Sequence, residues 1–98
     1  MSQIIISRQA QYDLDRIYVF LGEKDIRSAQ SSMVAISKGF SSLANTPTLW
    51  RTIEGGLREY LVDFGKGGYT VLYDYQVETD RIDILAIRHQ AEENYKWL

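Results

Sequence analysis

The hydrophobic pattern turns from helical to strand-like at Pro47, and that change limits the fold more than any other feature. Before it, Ala10, Leu14, Ile17 and Leu21 step by 4, 3 and 4 residues, which is one face of a helix. Ala29, Met33, Ile36, Phe40 and Leu43 then step by 4, 3, 4 and 3, an even cleaner amphipathic pattern. Gly22-Glu23-Lys24-Asp25 separates the two stripes, and Asn45-Thr46-Pro47 stops the second. Ser7 and Asp25 stand where each helix needs an N-terminal cap. So short a connection makes the pair an antiparallel hairpin.

After Pro47 the pattern becomes that of strands. Residues 57–64, 69–77 and 81–89 are rich in Tyr, Val, Leu and Ile, with Gly65-Lys66-Gly67-Gly68 and Glu78-Thr79-Asp80 as the turns between them. Residues 48–56, with an exposed-looking Trp50, Arg51 and Gly55-Gly56, read as an irregular connection, and β-branched Ile4-Ile5-Ile6 reads as a first strand. The order β-α-α-β-β-β predicts an α+β fold: an N-terminal strand and a helical hairpin packed on a mainly antiparallel sheet. Ninety-eight residues suffice for one domain, 1–98, with 90–98 as a C-terminal tail or short helix.

Composition removes several functions. The absence of cysteine excludes a disulfide framework, a thiolate zinc site and a cysteine nucleophile, and a single histidine cannot build a histidine-rich metal site. No metal or cofactor is expected. Glu92-Glu93 lacks convergent ligands nearby in sequence and reads as a solvated face. The N-terminus has no basic region and no apolar run reaches membrane-spanning length, so a cytoplasmic protein away from the membrane is expected. A net charge of −2 argues against direct nucleic-acid binding, whose affinity comes from neutralising phosphates.

Strand alternation distributes the candidate residues. Arg58, Tyr60, Val62 and Phe64 share one face of the first long strand, opposite Leu57, Glu59, Leu61 and Asp63. Tyr69, Val71, Tyr73 and Tyr75 share a face of the next. On the last, Ile82, Ile84, Ala86 and Arg88 alternate with Asp83, Leu85, Ile87 and His89. That strand ends in a guanidinium beside the chain's lone imidazole, a pair able to bind an anion, transfer a proton or cap a sheet. In the structural alternative, Arg58 pairs with Glu59 or Glu92, and His89 bonds to a carbonyl at the strand end. The tyrosines could stack bases, but packing under helices suits at least half of them. The glycine-rich turn is not followed by a helix and lacks P-loop spacing, so it is a hairpin turn. Tyr95 and Trp97 are large aromatics suited to anchoring a tail or a partner.

With these residues in order, the chain resembles the RelE/ParE superfamily of bacterial type II toxins over nearly its whole length. Ala10, Asp13, Leu14 and Ile17 carry the resemblance in the first helix, and Leu43 and Pro47 close the second. Gly56-Leu57-Arg58-Glu59-Tyr60, Gly68-Tyr69-Thr70-Val71-Leu72-Tyr73 and Ile84-Leu85-Ala86-Ile87-Arg88-His89-Gln90-Ala91-Glu92 complete it. The resemblance implies a curved sheet and a toxin neutralised by a cognate antitoxin, which wraps its C-terminal segment around the toxin's helices and sheet as a hetero-oligomer. It also implies one of two targets. ParE-like members stabilise plasmids and arrest growth by inhibiting DNA gyrase; RelE-like members cut mRNA on the ribosome with basic residues and a C-terminal Tyr or His. Arg51 without a lysine cluster and the acidic balance lean to the ParE branch. The candidate target contacts are then Arg58, Tyr73, Arg88, His89, Tyr95 and Trp97. In the endonuclease alternative Arg58, Arg88, His89 and Tyr95 would carry the chemistry. A non-toxic relative acting as a regulatory partner is the third reading.

Overall fold

Ser7 begins the layered structure by serving two elements at once. In a computed structural model that describes residues 2–65, 67–90, 92 and 95, its Oγ accepts from Ala10 N at 3.1 Å and donates to the Leu85 carbonyl at 3.0 Å. The first bond caps helix α1 (Arg8–Gly22) and the second ties the preceding strand β1 (Gln3–Ile6) to the C-terminal strand. Asp25 caps α2 (Ile26–Asn45), accepting from Arg27 N at 3.0 Å and from the Ser28 hydroxyl at 3.1 Å. Both caps stand at the positions expected from sequence.

The remaining strands are β2 (Arg51–Thr52), β3 (Arg58–Phe64), β4 (Gly67–Gln76) and β5 (Arg81–His89). They form one sheet in the order β1-β5-β4-β3-β2, antiparallel except where β1 runs parallel to β5. The helical hairpin therefore carries the chain from one edge of the sheet to the other, α1 lying over β5 and α2 over β3. Ala10 and Ile17 of α1 and Ile36 and Leu43 of α2 bury against Tyr60, Val62, Val71, Tyr73, Ile82, Ile84 and Ile87. Gly39 makes the α2–β3 approach possible, because a Cβ there would stand 2.9 Å from Val62 Cγ2. Among the described residues no helix is long and apolar enough to cross a membrane.

Four local expectations are corrected. Residues 48–56 contain β2, since Arg51 and Thr52 pair with Glu59 and Arg58. Trp50 is not exposed: its ring meets Tyr60 edge-on at 4.6 Å and its indole N–H donates to Thr46 Oγ1 at 3.3 Å. Gly67 and Gly68 belong to β4, leaving a two-residue connection in which Gly65 takes φ 62°, the left-handed geometry that tight hairpins require. Alternation along β5 also breaks. Tyr73 pairs with Ile84 but Leu72 pairs with Ala86, so Leu85 is an extra bulge residue. Past it Ile87 turns to the helices with Ile82 and Ile84, while Ala86 joins Leu72 on the open face. The expectation of a tail or helical turn over 90–98, and Trp97 with it, falls outside the described residues except at Gln90, Glu92 and Tyr95.

Candidate functional site

The last two residues of β5 point to opposite sides of the sheet, and the bulge decides which of them faces which side. Asp13 is fully buried, and its Oδ2 accepts from Ile87 N at 2.9 Å just beyond the bulge. A buried carboxylate survives in such a place only if its oxygens are bonded. Its Oδ1 meets Gln9 Nε2 at 3.1 Å and Arg16 Nη2 at 3.4 Å. Arg88 then faces the uncovered side of the sheet. His89 lies beside Tyr69, its ring edge-on at 5.4 Å, and its backbone N–H donates to Glu92 Oε1 at 3.0 Å.

On the uncovered side a second, smaller apolar cluster forms from Leu72, Ala86 and Tyr95, flanked by Ile53, Leu57 and Leu85. Charged groups surround it. The Tyr95 hydroxyl donates to Glu59 Oε2 at 2.6 Å, and the Arg51 guanidinium donates to Glu59 Oε1 across the β2–β3 pair. The Arg88 guanidinium stands 5.2 Å from the Tyr95 ring centre, a cation–π distance. Arg88 Nη1 also donates to the Glu92 carbonyl at 2.7 Å. The cluster thus holds two guanidiniums, one carboxylate and one phenol over an apolar floor.

Their electrostatics interlock. Burial pushes the Glu59 carboxyl up. Hydrogen bonds from Tyr95 and Arg51, with the charges of Arg51 and Arg88, outweigh it and hold the group below the usual carboxylate range. Burial raises the Tyr95 hydroxyl, and its bond to the Glu59 carboxylate raises it further against the opposing pull of Arg88. Glu59 is therefore a firm anion and Tyr95 a firmly neutral donor.

The other candidates sit elsewhere. Arg58 faces the helix side, where its Nη1 donates to the Trp50 carbonyl at 2.7 Å and fastens β3 to the incoming connection. The expected Arg58–Glu59 or Arg58–Glu92 pair does not form, because Glu59 is taken by Arg51 and Glu92 by Arg16. Tyr73 is fully buried under the helices, donating to the Pro47 carbonyl at 2.7 Å, and burial pushes its hydroxyl up to about 12 against the charge of Arg58. Of the sequence candidates, Arg88 and Tyr95 meet on the open side of the sheet, where the Tyr95 ring is only 5% exposed. Arg51 and Glu59 complete the cluster, and only their cross-strand register brings them there. Among the described residues no group of acidic or histidine side chains could hold a metal ion.

A second surface lies on the outer side of the hairpin. Tyr12, Val19 and Phe20 of α1 are exposed large apolar residues along a shallow groove with Asp15, Arg16 and Glu23, and Ile26 and Val34 of α2 are exposed as well. Lys24 Nζ lies 4.5 Å from the Phe20 ring centre. Apolar exposure grouped in this way marks an association surface more often than chance placement does.

Residues 4–94 match the family described as ParE toxin of type II toxin-antitoxin system, parDE. The chain belongs to the ParE toxin family. It is also similar to Toxin RelE1 of Caulobacter vibrioides, 29% identical over 70 residues, or 71% of this chain and 75% of that protein. The fold agrees, with two helices against a mostly antiparallel sheet after an N-terminal strand. This member of the ParE family is thus the toxin of a type II toxin–antitoxin pair, and the family implies a cognate antitoxin as its partner.

Proposed function

We propose that this toxin stops growth by binding and inhibiting DNA gyrase through the open face of its sheet, with Arg88 and Tyr95 as central contacts. The observation that carries the reading is Glu59. Its carboxylate occupies the middle of the open-face cluster and is held there, ionised, by Arg51 and Tyr95. An RNA phosphate brought to Arg88 would meet that fixed negative charge in a partly dry site, where repulsion is strong. Tyr95, with its proton committed to Glu59, is a poor group for proton transfer near neutral pH. A protein surface suits the same cluster, because aromatic and arginine side chains over an apolar floor are the groups that anchor interfaces. Purified toxin is expected to inhibit gyrase supercoiling or trap its cleavage complex. Absence of both effects at concentrations that arrest growth would overturn the target.

One observation favours a second reading, a ribosome-dependent mRNA endonuclease. Glu59, Tyr95 and Arg88 are an acceptor, a hydroxyl and a cation gathered at one place, the set that cleavage of a phosphodiester uses. In that case transcripts would be cut on translating ribosomes and gyrase would be untouched. For the antitoxin, the exposed Tyr12, Val19 and Phe20 groove on α1 is the proposed contact, an apolar stripe suited to an amphipathic segment.

A further inference from the structure

Arg16 lines the α1 groove, yet its bonds end at both layers of the molecule. It projects from α1 on the helix side. Nη1 donates to both carboxylate oxygens of Glu92, at 3.1 and 3.3 Å, and Nη2 reaches the Ile87 carbonyl at 3.3 Å and Asp13 Oδ1 at 3.4 Å. Glu92 is bound from other sides too, since its Oε1 accepts from His89 N at 3.0 Å and its own N–H donates to the His89 carbonyl at 3.0 Å. That places the Glu92 carbonyl where Arg88 Nη1 meets it at 2.7 Å. Arg88 in turn stands over Tyr95, and Tyr95 bonds to Glu59. A continuous path therefore runs Arg16–Glu92–Arg88–Tyr95–Glu59, from a helix on one side of the sheet to the open face on the other.

We infer that Arg16 is a positioning residue: through Glu92 it fixes the rotamers of Arg88 and Tyr95 and so keeps the open-face surface assembled. The inference rests on the reading that this surface makes the toxic contact. Two features of the pair suit the role. Both side chains are only about a fifth exposed, at 23% for Arg16 and 21% for Glu92, so the interaction is less screened than a surface ion pair. The guanidinium also contacts strand β5 itself, at Ile87, so movement of the pair and of the strand end are linked. A flexible arginine such as Arg88 loses rotamer freedom on binding a partner, and holding it in advance removes that cost from the encounter.

A double-mutant cycle on the full-length toxin tests this, using Arg16→Met, Glu92→Gln and their combination. Two readouts are taken: the NMR signals of the Tyr95 ring, assigned with Tyr95→Phe, and the inducer dose that gives half-maximal growth arrest. Each single variant is expected to shift the Tyr95 signals and raise the dose about tenfold, with the double variant no worse than either, as for residues acting along one path. Tyr95 signals that stay in place would overturn the inference. So would dose effects that multiply in the double variant, or signals that shift while toxicity holds. If Arg16→Met fails to fold, Glu92→Gln at the sheet's rim carries both readouts alone. Neither readout measures gyrase activity itself, so wild-type arrest without gyrase inhibition would remove the proposed target and leave this inference standing.

Discussion

The two faces of the sheet use the same kinds of side chain for opposite ends. On the helix-covered face tyrosine and arginine are structural: Tyr73 is sealed in the core and bonds to a carbonyl, and Arg58 fastens a loop through another. On the open face Tyr95 bonds to the Glu59 carboxylate and Arg88 stands over the Tyr95 ring, above a floor of Leu72 and Ala86 flanked by Ile53, Leu57 and Leu85. A core tyrosine answers to fixed backbone acceptors, so its geometry is settled by folding. Tyr95 is only 5% exposed, but it is held by a carboxylate and a cation rather than by a backbone carbonyl, and a ligand can compete for those partners. Residue type does not separate the two roles. The face does, and a one-residue bulge decides the face.

The comparison is broken most forcefully from the covered side. Tyr73→Ala should cost about 3–5 kcal/mol in urea-unfolding stability, the range for a buried large aromatic. Tyr95→Ala also removes a buried ring, 5% exposed, but from a smaller cluster, so it should cost less than Tyr73→Ala, and an equal loss would mean that the open-face cluster packs like the core. Next comes Asp13→Ala, which leaves the Ile87 N–H without its buried acceptor and should cost about 1–3 kcal/mol. Its Ile87 amide should also exchange with solvent faster.

Tyr95→Phe is gentler. Losing its hydrogen bond to the Glu59 carboxylate should cost about 1.5 kcal/mol. Under the gyrase reading the ring and Arg88 remain and growth arrest persists, whereas a nuclease would lose its hydroxyl. The acid limb of stability gives another contrast. Glu59 has a lowered pKa in the folded state, so its contribution is present above the ordinary carboxylate value of 4.5 and is lost as pH falls through the folded value. Glu59→Gln should flatten that limb. Tyr73 acts at the other end: its hydroxyl is raised from 10.0 to about 12, so its contribution is intact below 10 and fades as pH rises toward 12. Phe20→Glu should change stability least, within about 0.5 kcal/mol. Antitoxin affinity should nonetheless fall at least tenfold if the α1 groove is the contact, since a buried charge in such an interface costs roughly 2 kcal/mol or more.

Much of the architecture could be read along the chain because its signals are local. Ser7 and Asp25 cap where they stand, and the Ala10–Leu21 and Ala29–Leu43 stripes each face the sheet, since a helix's face depends on spacing over a few residues. The site was legible only in part. Arg88 and Tyr95 stood out as a cation at a strand end and an aromatic near a terminus. Glu59 and Arg51 gave no such signal, because what joins them is the pairing of Arg51 with Glu59 across β2 and β3. Arg16 carried none either, lying 76 residues from Glu92.

By itself, then, the amino-acid order determined the helical hairpin, the strand sequence and the family, all of which rest on periodicity, caps and short ordered motifs. Tertiary structure decided the rest: β1 parallel to β5, the short β2, the bulge at Leu85, and with it which of Arg88 and His89 meets the open face. Strand register is a long-range choice, set when the sheet closes against α1 and Asp13 takes the Ile87 N–H. A shift of one residue there turns the following side chains to the other face, and no local pattern in β5 records it.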